Sequence, residues 1–77
     1  MPNDFPAMKP GKLLKVLEAL GYEVVRRKGS HKSLRAPGRP ALTFSYHGGD
    51  EVPSQMVRTI LVKQVGLTLD EAREAIR

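Results

Sequence analysis

Two turn signals divide the middle of the chain into three runs of strand-forming residues, and this spacing constrains the fold more than any other feature. Gly29-Ser30 suits a tight two-residue turn, because glycine adopts positive φ freely. Pro37-Gly38-Arg39-Pro40 is a second turn signal. The runs on either side are rich in β-branched and aromatic residues and cover residues 22–28, 31–36 and 41–46. Three consecutive strands joined by short turns predict an antiparallel meander.

A helical pattern precedes the strands. Leucines and a valine recur at helical spacing over residues 10–20. Pro10 suits the first helical position and Gly21 the position just past the end. A second helix is predicted over residues 53–65 and ends at Gly66.

The last segment predicts a short third helix. Thr68 and Glu71 have the spacing of a capping box. Leu69, Ala72 and Ile76 would form its thin apolar stripe. The order helix, three strands, helix, short helix predicts a two-layer α+β domain, in which helices cover one face of the sheet and basic residues occupy the other.

The chain has 77 residues, enough for a single domain, which we predict over residues 10–77. Residues 1–9 show no hydrophobic period and are expected to form a flexible arm, with Phe5 or Met8 as the residues that would pin it. A chain this short buries roughly 60% of its unfolded surface, so a deep cofactor pocket is not expected. Any chemistry should lie on the surface.

Composition excludes several other classes of protein. The chain contains no cysteine, which rules out disulfides and thiolate zinc sites. No spacing of histidines and acids matches a metal motif, and we expect neither metal nor cofactor. Residues 1–9 contain Asp4 and two prolines, unlike a secretory signal, and no apolar run approaches a membrane span. We therefore expect a cytoplasmic protein.

The charge is unevenly distributed. Thirteen Lys and Arg against eight Asp and Glu give a formal net charge of +5. Residues 24–49 contain no acid at all, and the basic residues of this stretch are Arg26, Arg27, Lys28, Lys32, Arg35 and Arg39. These residues either solvate a hairpin or neutralise phosphates; the excess favours an anionic partner such as nucleic acid.

His31 is the candidate catalytic residue. It directly follows the predicted tight turn, with Lys28 and Lys32 close in sequence. An imidazole accepts and releases protons near neutral pH, and the lysines would hold a phosphodiester beside it. An exposed strand histidine without a function is the alternative. His47 would close the third strand, pair with Asp50, or act as a second acid.

A longer stretch now identifies a family. Residues 17–31, ending in Lys28-Gly29-Ser30-His31, resemble the opening of the HicA family of bacterial toxins, whose mark is a glycine-serine-histidine turn after the first strand. Downstream, the resemblance continues through the third strand, the loop after it and the second helix. It covers residues 12–76. Lys32 departs from the pattern, since many members have a histidine or an aromatic residue there.

The resemblance implies a fold like a double-stranded-RNA-binding domain and a ribosome-independent, metal-independent endoribonuclease that cleaves mRNA. His31 would be the catalytic base, Gly29 and Ser30 would shape its turn, and a HicB-type antitoxin would cover it. We expect Lys28, Lys32 and Arg35 to contact phosphates.

Two alternatives remain open from the residues. A non-catalytic module could hold structured RNA by shape and charge on the same basic face. A protein-interaction domain could use that face to bind an acidic partner.

Overall fold

A computed structural model describes residues 5–46 and 49–77, and its elements follow the predicted order. The helices and strands are α1 (Pro10–Ala19), β1 (Glu23–Lys28), β2 (His31–Arg35), β3 (Leu42–Phe44), α2 (Ser54–Arg58) and α3 (Leu69–Ala75). A π-helical segment, Thr59–Gln64, continues α2. The strands form one antiparallel sheet in the order β1-β2-β3. The predicted α+β layout of a double-stranded-RNA-binding-domain-like fold is confirmed.

Helix α1 forms as its sequence predicts. Pro10 is its first residue, where the missing N–H of proline costs nothing. Leu13 and Leu17, one helical turn apart, are fully buried. Gly21 follows the helix with a φ of +103°, a conformation that L side chains rarely adopt, so the chain can turn into β1.

One hydrophobic core lies between the helices and a single face of the sheet. The sheet contributes Leu34, Leu42 and Phe44. The helices contribute mainly Leu13, Leu17, Val57, Ile60, Leu61, Val65 and Ala72. The molecule measures 37 × 30 × 17 Å, and its thin dimension corresponds to one helical layer on one sheet.

The second helix differs from the predicted α-helix over residues 53–65. After Arg58 its hydrogen bonds widen, and the N–H of Val65 donates to the carbonyl oxygen of Ile60 at 2.9 Å. This i→i−5 bond is typical of a π-helix, and it joins Ile60 and Val65, which are both buried. The spacing of apolar residues does not distinguish a π-helix from an α-helix, since each buries one stripe of apolar side chains.

The described part of the N-terminal arm is not loose. Phe5 and Met8 are both buried in the core. Met8 also pairs with Val52: the N–H of Met8 donates to the Val52 carbonyl at 3.1 Å, and the N–H of Val52 donates to the Met8 carbonyl at 2.8 Å. The prediction that Phe5 or Met8 pins the arm agrees with the burial of both residues, and Met8 is held further by its backbone pairing with Val52.

The third strand is shorter than residues 41–46. Continuing its register with β2 would place Tyr46 opposite Ser30, inside the turn, where no strand partner remains. Tyr46 instead packs its ring against Phe44, with ring centroids 5.6 Å apart. His47 and Gly48 lie outside the described residues.

The capping box of α3 forms as predicted. Glu71 N–H donates to the Thr68 hydroxyl at 3.1 Å, and Thr68 N–H donates to the Glu71 carboxylate at 2.9 Å. The bond that the Glu71 carboxylate accepts from the Thr68 N–H is the largest cause that lowers the pKa of Glu71, and its interaction with the Thr68 side chain lowers that pKa further. The predicted apolar stripe is wrong at Leu69, which is 39% exposed because it opens the helix beyond the edge of the core.

Among the described residues, no helix is both long enough and apolar enough to cross a membrane.

Candidate functional site

The β1-β2 hairpin places His31 directly after a two-residue turn. Lys28 and His31 are Cα partners across the two strands. Gly29 has a φ of +59°, whereas no other residue type among the described residues has positive φ. Positive φ at the first central position alone is the signature of a type II′ turn, whose twist matches that of the strands. The turn therefore fixes His31 at the start of β2.

A β-bulge at Val25 interrupts the hairpin farther from the turn. Arg26 pairs with Ser33 in regular register, but the next pair is Val24 with Leu34, which leaves Val25 as an extra residue. Val24 can then face the core beside Leu34. Val25 is 52% exposed.

Alternation along the strands gives the sheet two different faces. The face turned away from the helices, called the open face below, contains Arg26, Lys28, His31, Ser33, Arg35 and Thr43. The opposite face contains the buried Leu34, Leu42 and Phe44. In the described strands Glu23, across from Arg35, is the one acidic residue. The open face is therefore strongly basic.

The structure brings only some of the predicted site residues together. His31 is exposed on the open face with Lys28 directly opposite. Arg35 shares that face but lies four residues along β2, which is about 13 Å at 3.3 Å per residue. Arg35 therefore lies at the opposite end of β2 from His31 and is not its immediate neighbour on the open face.

Lys32 lies on the other face from His31. Its Cα partners are Arg27 on β1 and the buried Phe44 on β3, and it is half-buried. Its ammonium can approach the site only around the edge of the sheet. Gly29 and Ser30 form the turn itself, and their contribution is to set the position of His31.

One basic residue of the open face was missed in the sequence. Arg26 shares this face with His31, since its partner Ser33 lies two residues from His31 on β2. Counting pairs outward from the two-residue turn would have found it. This count is valid as far as Arg26, because the register is regular from the turn to Arg26 and the bulge comes after it.

Arg39 belongs to a different part of the molecule from the other basic residues of its stretch. Its Nε donates to the Leu20 carbonyl at 3.2 Å, while the Tyr22 hydroxyl donates to the Pro40 carbonyl at 2.6 Å. Burial raises the pKa of Tyr22, and the Arg39 guanidinium partly opposes this rise. The two bonds fasten the β2-β3 turn to the C-terminal cap of α1 and to the segment that connects α1 with β1.

The described residues contain no group of three or more histidines and acids that could hold a metal ion. His47, the other histidine, falls outside those residues, so its role stays a prediction. Within residues 5–46 and 49–77 the arrangement is one exposed imidazole at the end of a tight turn, with Lys28 opposite it and Arg26 farther along the same face.

A small α+β domain with an exposed histidine on a basic sheet is the class of protein that these observations define. A family model described as "HicA toxin of bacterial toxin-antitoxin" matches residues 11–67, which is 57 of the 77 residues. No curated protein and no solved structure matches the chain. The chain therefore belongs to the HicA toxin family, whose members act as toxins paired with an antitoxin. The matched residues include the hairpin and the second helix, whereas α3 lies beyond them.

Proposed function

We propose that this toxin is an endoribonuclease that cleaves mRNA without the ribosome and uses His31 as its general base. The observation that carries the proposal is the pairing of an exposed imidazole with Lys28 across a tight turn, on a face otherwise rich in arginine. Membership of the HicA family supports a toxin role, and the charge of the face supports an RNA substrate.

The chemistry needs few groups. His31 accepts the proton of a ribose 2′-hydroxyl, and the resulting oxygen attacks the adjacent phosphorus. The bond from phosphorus to the 5′-oxygen of the next nucleotide breaks, that oxygen takes a proton from water, and His31 releases its own proton to the solvent. The products are a 2′,3′-cyclic phosphate and a 5′-hydroxyl end.

Cations on the open face stabilise the charge that develops on the phosphoryl oxygens. Lys28 is the nearest, because it is the cross-strand partner of His31. Arg26 and Arg35 lie farther along the hairpin and hold the neighbouring backbone of the RNA. No step of this route needs a metal ion.

A HicB-type antitoxin is the proposed partner, and it would neutralise the toxin by covering His31. The site is suited to such control, since a single exposed residue carries the reaction and a partner needs to cover only one face of the sheet. Complex formation should therefore protect His31 from modification by diethyl pyrocarbonate.

The deciding experiment compares wild type with His31→Ala on a 5′-labelled RNA in the presence of EDTA. Wild type should cleave and leave 2′,3′-cyclic ends, whereas the variant should lose about 10²- to 10⁴-fold in rate while keeping its RNA affinity. A 2′-deoxy substitution at the cleaved nucleotide should block the reaction.

Three results would overturn the mechanism: 5′-phosphate products, an absolute need for magnesium, or equal cleavage by His31→Ala. Binding without cleavage by wild type would favour the rival function, a non-catalytic RNA-binding module. Circular dichroism of both proteins serves as the folding control, since His31 is exposed and its removal should leave the fold intact.

A further inference from the structure

The open face has a shallow depression next to His31. It encloses about 310 Å³, at the lower end of the range for small-ligand sites. Its lining includes Val25, Ser33, Arg35, Ala41 and Thr43. The proposed reaction gives no role to Val25, Ala41 or Thr43.

The walls of the depression combine apolar and hydroxyl groups. Val25 and Ala41 are apolar, and the bulge is what leaves Val25 more than half exposed here. Ser33 and Thr43 are cross-strand partners, so their hydroxyls lie side by side on one face. A phosphate needs no apolar wall, whereas a flat heterocycle with a hydrogen-bonding edge uses both kinds of group.

The position of the depression relates it to the bond that would be cleaved. Ser33 lies two residues from His31 on the same face of β2, about 6.6 Å along the strand. For an RNA that runs along β2 toward Arg35, a nucleotide whose ribose lies against His31 has its neighbour over Ser33 and Thr43. Arg35 closes the far side and can stack on a base or bind its phosphate.

We propose that this depression binds one unpaired nucleobase adjacent to the scissile phosphate. Val25 and Ala41 pack against the base, and the hydroxyls of Ser33 and Thr43 contact its hydrogen-bonding edge. The base must be unpaired, because pairing would occupy that edge and stacking would keep it out of the depression. The cations Lys28, Arg26 and Arg35 on the same face favour RNA over an apolar peptide as the occupant. This inference rests on the proposed ribonuclease function.

Two substitutions test it. Ala41→Leu fills the depression without touching His31, and Thr43→Val removes a hydroxyl while keeping a side chain of similar shape. Ala19→Leu, at the exposed end of α1, is the matched control for adding the same side chain elsewhere. The substrates are single-stranded RNA oligonucleotides that differ only in the nucleotide next to the cleaved bond.

We expect Ala41→Leu to raise KM about tenfold with little change in kcat, and Thr43→Val to alter the ranking of bases next to the cut. Ala19→Leu should behave as wild type. If wild type cleaves and both variants keep its KM and its base ranking, the inference is wrong and the proposed function stands.

Another result would support the base site and contradict the proposed ribonuclease function. If wild type cleaves no RNA but binds these oligonucleotides, and Ala41→Leu weakens binding about tenfold, the base site survives and the nuclease proposal fails. Loss of antitoxin binding in Ala41→Leu, with unchanged RNA binding and cleavage, would overturn the base site and assign the depression to the partner protein.

Discussion

The two faces of the sheet share the same strands but have opposite chemistry. On the face toward the helices, Leu34, Leu42 and Phe44 are buried in the core. On the open face, one residue away along the same strands, His31, Ser33 and Thr43 are exposed or half-buried. Core residues and residues of the proposed RNA-binding face therefore alternate along β2, and a substitution should affect stability or the proposed activity according to its position in the strand.

Neighbouring residues of β2 offer the strongest way to break this comparison. Leu34→Ala opens a cavity in the core and should lower the free energy of unfolding by about 2–5 kcal/mol. Ser33→Ala, one residue away on the open face, should change it by no more than about 0.5 kcal/mol. Urea denaturation monitored by circular dichroism measures both. Equal losses in the two variants would mean that the faces are not energetically distinct.

Gly29→Ala tests the turn that connects β1 to β2 and positions His31. The φ of +59° should cost an alanine about 1–2 kcal/mol, although its Cβ would meet no atom within 4 Å. Gly11→Ala, in the first turn of α1, is the control: that Cβ also meets nothing, and alanine should stabilise the helix by about 0.5–1 kcal/mol. Thermal melts of both variants should therefore shift in opposite directions, and a shift in the same direction would contradict the type II′ turn.

Lys28→Ala and Lys32→Ala sharpen the comparison with two residues of one type on different faces. Lys28→Ala should lower kcat/KM about tenfold, or about 1.4 kcal/mol of transition-state stabilisation, with little effect on stability. Lys32→Ala should instead lower the melting temperature and leave kcat/KM nearly unchanged, because the half-buried stem of Lys32 packs on the side of Phe44. Cleavage kinetics and melting temperature, measured on the same samples, give both readouts. A larger kinetic loss in Lys32→Ala would contradict this placement of the two side chains.

Helix α3 provides the smallest effect and the clearest pH dependence. Thr68→Ala removes the N-cap and should cost about 1 kcal/mol in the free energy of unfolding. Because the folded state lowers the pKa of Glu71, its contribution to stability is complete above the ordinary carboxyl range and is lost as the pH falls through the lowered value. The melting temperature of wild type should therefore fall in acid more than that of Glu71→Gln, and equal falls in the two proteins would exclude the Glu71 carboxylate as a stabilising cap.

Turn chemistry explains why so much of the site was predictable. The sequence predicted a two-residue turn at Gly29-Ser30, and counting outward from that turn gives the pairing of Lys28 with His31 that the structure has. That same count extends to Arg26 and Ser33. It stops at Val25, because a bulge has no signal in a run of strand-forming residues.

Lys32 shows the opposite case. Its sequence position next to His31 suggested a shared phosphate, but adjacent strand residues point to opposite faces. Arg39 likewise looked like part of the basic stretch, and its bond to the Leu20 carbonyl assigns it to the packing of a turn. Whether a cation serves RNA or the fold depends on neighbours that are distant in the chain.

Local chemistry was enough to determine the element order, the helix start at Pro10, the capping box and the turn before His31, because each depends on residues within a few positions of one another. The tertiary structure decided three other features: which partner Met8 pairs with, the π-helical end of the second helix and the depression beside Val25. The pairing of Met8 with Val52 and the depression each bring together segments that are far apart in the chain. A pattern of hydrophobic spacing specifies that a residue is buried, but it does not specify what that residue is buried against.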